Sequence, residues 1–101
     1  MKGASIDFAA LNRRAVQQLP AILMRFLPGG LVRGQEYIAR NPTRADRTLG
    51  SFKINMHTGR WADFATGDAG GDIVSLVAYV NRVGQLDAAQ LVLEAIGGGH
   101  A

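Results

Sequence analysis

Three aspartates and one histidine are the side chains of this sequence whose spacing suits acid–base or metal chemistry. Asp63, Asp68 and Asp72 follow one another at intervals of five and four residues, a spacing able to hold a magnesium ion, and His57 is a candidate general base. No nucleophile or second histidine is arranged with His57, and no further carboxylates complete a two-metal site. Turn formation and helix capping explain Asp68 and Asp72 more simply. We therefore expect no enzymatic activity, metal or cofactor.

Cysteine is absent from the 101-residue chain. Its absence excludes disulfides, thiolate zinc sites and thiol catalysis. The two histidines, His57 and His100, are far apart in the sequence, and His100 lies in a glycine-rich tail. The fold must therefore be held together by packing rather than by a closed metal site.

Composition predicts one globular domain. Hydrophobic residues make up 48% of the chain and charged residues 19%, which is ordinary for a folded protein. No stretch approaches the roughly 18 consecutive apolar residues of a membrane span. The N-terminus also lacks the pattern of a secretory signal. We expect a cytoplasmic protein without a membrane partner.

Positive charge is concentrated in the middle of the chain. Six of the eleven basic residues lie within residues 33–60 against two acidic residues, whereas residues 61–101 hold one arginine against five acidic residues. Arginine binds phosphates and bases well because its guanidinium group is planar and donates several hydrogen bonds. The pattern is typical of a nucleic-acid-binding surface, but an ordinary solvated basic surface has the same composition. The six residues are Arg33, Arg40, Arg44, Arg47, Lys53 and Arg60.

Trp61 is the only tryptophan and directly follows Arg60. Stacking of bases on aromatic rings, with arginines along the phosphates, is how many proteins bind single strands. Packing of Trp61 in or at the edge of the core is the alternative that we favour, and we place Phe52 and Phe64 in the core as well.

Hydrophobic periodicity predicts four helices, over residues 6–18, 20–27, 73–81 and about 87–96. Asp72 and Asp87 are placed to cap the third and fourth helices. Strands are expected over residues 36–40, 51–56 and 60–64, the last two joined as a hairpin by a turn containing Gly59. Residues 67–71 are glycine-rich and are interpreted as a flexible bend. This bend is not a Walker phosphate loop, because no Gly-Lys-Ser/Thr follows it.

Four short motifs occur in a recognisable order: Asn41-Pro42, Gly50-Ser51-Phe52, Gly59-Arg60-Trp61 and Gly70-Gly71-Asp72, the last opening a helix. Together with the basic loop after the first motif, this order resembles the zinc-ribbon domain of bacterial and phage DNA primases. That domain carries Cys-Pro-x-His, Pro-Ser-Phe, an aromatic strand with Cys-x-x-Cys, and Gly-Gly-Asp before a helix. The resemblance covers about residues 37–81. In detail, the sequence is similar to metal-free versions of the domain in primase-like proteins of phages and integrated elements.

The zinc ligands of that family are missing here. Asn41 and Arg44 stand at the positions of the first cysteine and the histidine, and Asp63 and Thr66 best match the cysteine pair. These four residues cannot form a zinc site, because arginine does not ligate zinc and threonine is a poor ligand. We expect hydrogen bonds or an ion pair to replace the metal, with Arg44 or Arg47 reaching Asp63. The N-terminal helices would add core to offset the lost metal.

The resemblance implies an α+β fold with a small, metal-free, three-stranded antiparallel sheet flanked by two N-terminal and two C-terminal helices. The whole chain, residues 1–101, is expected to be one domain. It would comprise a helical part (1–31), the zinc-ribbon-like core (34–82), a C-terminal helix (86–96) and a tail (97–101).

The primase domain binds single-stranded template without joining nucleotides. The resemblance thus implies a non-catalytic DNA-binding module in phage, plasmid or integrated-element replication, with single-stranded DNA as partner and duplex DNA or RNA as alternatives. A second hypothesis is a protein-interaction adapter that docks a primase or helicase without binding DNA itself. The contacts expected for nucleic acid are Arg40, Arg44, Arg47, Lys53, Arg60 and Trp61.

Overall fold

The computed structural model of the chain describes residues 6–45 and 49–97. Two helices come first, then all of the strands, then two more helices. The helices are α1 (Phe8–Gln17), α2 (Leu19–Phe26), α3 (Ile73–Asn81) and α4 (Gln85–Ala95). The strands are β1 (Leu31–Arg33), β2 (Glu36–Ala39), β3 (Phe52–Asn55), β4 (Trp61–Asp63) and β5 (Ala69–Gly70).

The sheet has five strands in the order β1-β2-β3-β4-β5, and every pair is antiparallel. The expected α+β class is therefore confirmed, but the expected three-stranded sheet is wrong. Two edge strands were missed because three residues in β1 and two in β5 are too few to show an alternating pattern. β5 lies in the segment interpreted as a flexible bend. Gly70 is required there, since a Cβ atom would lie 2.4 Å from Trp61 Nε1.

The helices were predicted more accurately, because each buries one apolar stripe. α3 spans the predicted residues, and the side chain of Asp72 caps it by accepting from the Ser75 amide at 2.8 Å. The predicted cap of α4 is wrong. Gly84 is the N-cap of α4, and Asp87 lies inside its first turn. A carboxylate there interacts favourably with the positive end of the helix dipole.

The core lies between the helices and one face of the sheet, here called the inner face. Pairing of Ala39 with Phe52 and of Ile54 with Trp61 places these side chains on that face, and all four are buried. They form one cluster with buried residues from all four helices. Phe64 does not belong to it: its side chain is 70% exposed, so its predicted core position is wrong.

One side chain of α1 joins the hairpin turn to α3. The Asn12 Oδ1 atom accepts from the Ile73 amide at 2.7 Å, and the Asn12 Nδ2 atom donates to the Thr58 carbonyl at 3.3 Å. Gly59 fits beside them with φ +82°, and a Cβ atom there would lie 3.0 Å from Asn12 Oδ1. Helix α1 thus fixes the position of the β3–β4 hairpin relative to α3.

Replacing Asn12 is expected to destabilise the domain. Asn12→Ala removes a partner from the first turn of α3 and should lower the free energy of unfolding by about 1–2 kcal/mol, measured by urea denaturation. Gln17→Ala, an exposed change on the same helix, is the control and should stay within about 0.5 kcal/mol of the wild type. Equal effects of the two changes would contradict a stabilising role for the Asn12 hydrogen bonds.

Candidate nucleic-acid interface

Three of the four residues compared above with zinc ligands meet in a largely buried polar cluster. Asn41 follows β2, Arg44 lies three residues later, and Asp63 ends β4. The Asn41 Nδ2 atom donates to Asp63 Oδ2 at 2.7 Å, and the Arg44 Nε atom donates to the same oxygen at 3.0 Å. Asp63 is fully buried, whereas the Arg44 side chain is 31% exposed. The predicted ion pair is thus confirmed for Arg44.

Two further side chains complete this cluster, which we define as Asn41, Thr43, Arg44, Asp63 and Tyr79. The Tyr79 hydroxyl, on α3, accepts from Asn41 Nδ2 at 2.9 Å, and the Thr43 hydroxyl donates to Asn41 Oδ1 at 2.7 Å. Among the described residues, no buried side-chain nitrogen or oxygen lacks a hydrogen-bond partner. Such satisfaction is what a buried polar group needs in order not to destabilise the fold.

The neighbours of Asp63 in the cluster lower the pKa of its carboxyl group. Burial by itself would raise the pKa of the Asp63 carboxyl. Hydrogen bonds from Asn41, Arg44 and the Ala65 amide, with the Arg44 charge, outweigh burial and lower the pKa from 3.8 to about 2. Asp63 is therefore ionised at neutral pH and is held as the acceptor of the cluster.

The fourth position, Thr66, lies outside the cluster. Thr66 is exposed, and its hydroxyl accepts from the Asp68 amide at 3.2 Å. Asp68 instead reaches the cluster, since its carboxylate accepts from the Tyr79 hydroxyl at 2.7 Å. Within residues 6–45 and 49–97, no three residues among His, Cys, Asp and Glu are grouped so that they could hold a metal ion.

The opposite face of the sheet, here called the outer face, carries several of the predicted nucleic-acid contacts. Lys53 and Asn55 alternate with the buried Phe52 and Ile54, as predicted, and Lys53 pairs with Ala62 on β4. Arg60 precedes β4 and is exposed. Pairing of β3 with β4 thus places Lys53 and Arg60, which are seven residues apart, along the same groove.

A shallow open groove of about 620 Å³ runs along this face. Its polar border includes two cations, Lys53 and Arg60, and one carboxylate, Glu36. Phe64 also lines it, and the Lys53 ammonium lies 5.7 Å from the centre of the Phe64 ring. The groove therefore offers positive charge beside an exposed aromatic ring.

Of the two aromatic residues in β4 and the turn after it, Trp61 has the position that the sequence favoured, whereas Phe64 does not. Trp61 is buried, with its indole N–H donated to the Ser75 hydroxyl at 2.9 Å and its ring 4.6 Å from that of Tyr79. The core interpretation of Trp61 is confirmed. Phe64 is the exposed ring. The sequence spacing could have predicted this difference, because Trp61 and Phe64 are three residues apart and residues an odd number apart in a strand face opposite sides of the sheet.

The remaining predicted contacts are distributed unevenly. Arg40 is exposed where β2 ends, and alternation after the inward-facing Ala39 places it toward the outer face. Arg44 belongs to the polar cluster, so its charge is already paired with Asp63. Arg47 lies outside the described residues.

The low pKa of Asp63 predicts a loss of stability in acid. The unfolded carboxyl binds a proton near pH 3.8 and the folded one only near pH 2, so the stabilisation is complete above pH 3.8 and is lost as pH falls through 2. The free energy of unfolding should fall by about 2 kcal/mol through this one group. Urea denaturation at a series of pH values measures the change.

Asp63→Asn tests the assignment, because the amide cannot titrate. This variant should be less stable at neutral pH by about 2–3 kcal/mol and should lose the corresponding part of the acid dependence. Glu94→Gln removes an exposed carboxylate elsewhere and serves as the control for lost charge. A wild-type acid dependence in Asp63→Asn would refute the role of this residue.

No protein-family model matches this sequence, and no curated protein shows significant similarity to it. Within the part of the chain that the structure describes, no helix combines the length and apolar character needed to cross a bilayer. The relation to primase zinc ribbons accordingly stays a hypothesis based on the motifs.

Proposed function

We propose that the outer face of the sheet binds single-stranded nucleic acid, and that the chain is a non-catalytic module for DNA replication of a phage, plasmid or integrated element in the cytoplasm. The observation that carries this proposal is the shared groove of Lys53, Arg60 and the exposed Phe64. Positive charge beside an accessible ring is the combination that single-strand binding uses.

Each component has a separate task. Lys53 and Arg60 contact phosphates, with Arg40 extending the positive surface beyond β2, and this attraction weakens as salt rises. Phe64 stacks on a base, an interaction worth about 1–3 kcal/mol per base. Glu36 is the one carboxylate among the described residues that line the groove, and it keeps the phosphates toward the β4 side by repulsion.

An open sheet face with one exposed ring favours single strands over duplexes. The bases of a duplex are already stacked on one another, so the Phe64 ring has no free base face to contact. A single strand can turn one base onto the ring while its phosphates lie along the cations. Duplex DNA would keep only the charge attraction.

The polar cluster supports this function by fixing the direction of Phe64. Arg44 and Asn41 hold the Asp63 side chain inside the protein, and the Phe64 amide donates to the Ser51 carbonyl at 2.8 Å. The residue that follows an inward-facing Asp63 therefore projects outward. In this proposal the cluster performs the positioning task that a zinc ion has in the resembling family.

Reversing two charges of the groove should abolish most binding. Lys53→Glu with Arg60→Glu is expected to weaken binding of a fluorescent oligo-dT strand by more than about tenfold at about 50 mM salt, because two phosphate contacts become repulsive. Fluorescence anisotropy over a salt series measures the affinity. Arg13→Glu with Arg14→Glu, on the exposed side of α1, is the charge-matched control. Absence of binding by the wild type at low salt, or equal binding by the groove variant, would overturn the proposal.

Removing the ring should affect single strands selectively. Phe64→Ala is expected to weaken oligo-dT binding by about 1–3 kcal/mol while leaving duplex binding and thermal stability unchanged, since Phe64 is exposed. Phe64→Trp should restore or improve the affinity. Equal losses for single and double strands would argue against stacking.

A further inference from the structure

β1 forms an open edge of the sheet. Among the strands that the structure describes it pairs only with β2, and its three residues, Leu31, Val32 and Arg33, are all exposed. Exposed edge strands carry backbone groups ready to pair with another strand, and most proteins protect them. β1 contains no proline, and within residues 6–45 and 49–97 no further strand pairs with it.

The hydrogen-bond register shows which backbone groups of β1 face outward. The Met56 amide donates to the Gln35 carbonyl at 2.8 Å, so Gln35 bonds toward β3. Alternation gives Tyr37 the same direction, and Tyr37 is the register partner of Val32. The N–H and C=O of Val32 therefore point away from β2, toward the open edge.

An apolar groove adjoins this edge on the inner side of the sheet. It has a volume of about 260 Å³ and lies between α2 and the β1–β2 hairpin. Met24 and Val32 line it and are 73% and 62% exposed, and Tyr37 and Met56 also contribute. None of the described residues that line the groove is a carboxylate.

The charges around the groove and edge are mainly positive. Arg25 follows Met24 on α2, and Arg33 ends β1, with Glu36 opposite Arg33 on the β2 side. Antiparallel pairing of β1 with β1 of a second copy would place two Arg33 side chains on the outer side of one short strand pair, and this like charge disfavours self-pairing.

We propose that β1 accepts an extended segment of a partner protein in which apolar and acidic residues alternate, so that the sheet gains a sixth strand. The residue paired with Val32 lies on the groove side and is apolar. Its neighbours lie on the outer side, where an acidic residue faces Arg33. Backbone bonds to Val32 supply affinity, and the groove and Arg33 supply selectivity.

Two synthetic peptides of about ten residues test this proposal, one alternating Val with Glu and one alternating Val with Lys. The wild type should bind the Glu peptide at least about tenfold more tightly than the Lys peptide. Hydrogen exchange of the Val32 amide should slow when the Glu peptide binds. Equal binding of the two peptides, or no slowing at Val32, would overturn the proposal.

Two variants distinguish the contribution of the Val32 backbone to peptide binding from that of the Arg33 charge. Val32→Pro removes the outward N–H without removing a bond to β2, and it should abolish peptide binding while leaving oligo-dT binding unchanged. Arg33→Glu should reverse the preference between the peptides, which keeps the proposal testable if Val32→Pro does not fold. Leu86→Ala, which removes an exposed apolar side chain on α4, should bind like the wild type. A dimer in the wild type that Val32→Pro dissociates would assign the edge to a second copy and refute the proposal.

Discussion

The ion pair between the partly exposed Arg44 and the buried Asp63 is the interaction on which the rest of the sheet depends. It joins the loop after β2 to the end of β4, and Asn41 and Tyr79 extend it to α3. A buried pair contributes little net stability compared with apolar packing, but removal of Arg44 would leave the buried Asp63 charge without its cation, which is costly. The pair therefore favours the arrangement of these three segments in which Asp63 meets its partners. In a chain without cysteine, the ion pair and its hydrogen bonds thus hold together segments that a metal site or a disulfide would hold in other small domains.

The pair also fixes which side of β4 faces the core. Asp63 and Trp61 point inward together, and both are satisfied there, by Arg44 and by the Ser75 hydroxyl. Sequence patterning alone does not decide between the two phases of this strand, since the phase that buries Phe64 and exposes Asp63 also exposes Trp61. The buried charge costs free energy, and the hydrogen bonds of the cluster offset it. The exposed aromatic ring on the outer face is thus a consequence of a polar constraint in the interior.

Much of the fold could be predicted from the sequence because long apolar stripes and strict alternation are local signals. The four helices, the hairpin around Gly59 and the cap at Asp72 belong to this class. β1 and β5 could not be found in this way, since strands this short are defined by pairing with a neighbour rather than by their own residues. In the site, the Arg44–Asp63 contact was predictable from the comparison of both positions with the ligands of the resembling family. The core position of Trp61 was also predicted, but the exposure of Phe64 was not, because it depends on the register of the whole sheet.

Alternation along the strands separates the structural residues from those available for binding. Phe52, Ile54 and Trp61 face the core, whereas Lys53, Asn55 and Ala62 lie between them on the outer face. A change on the outer face can therefore alter charge or stacking without opening a cavity, and the polar cluster can be retained when a surface contact is lost. Because the packing of the core does not require Lys53, Arg60 or Phe64, their position along one groove supports the binding role that we propose for the outer face.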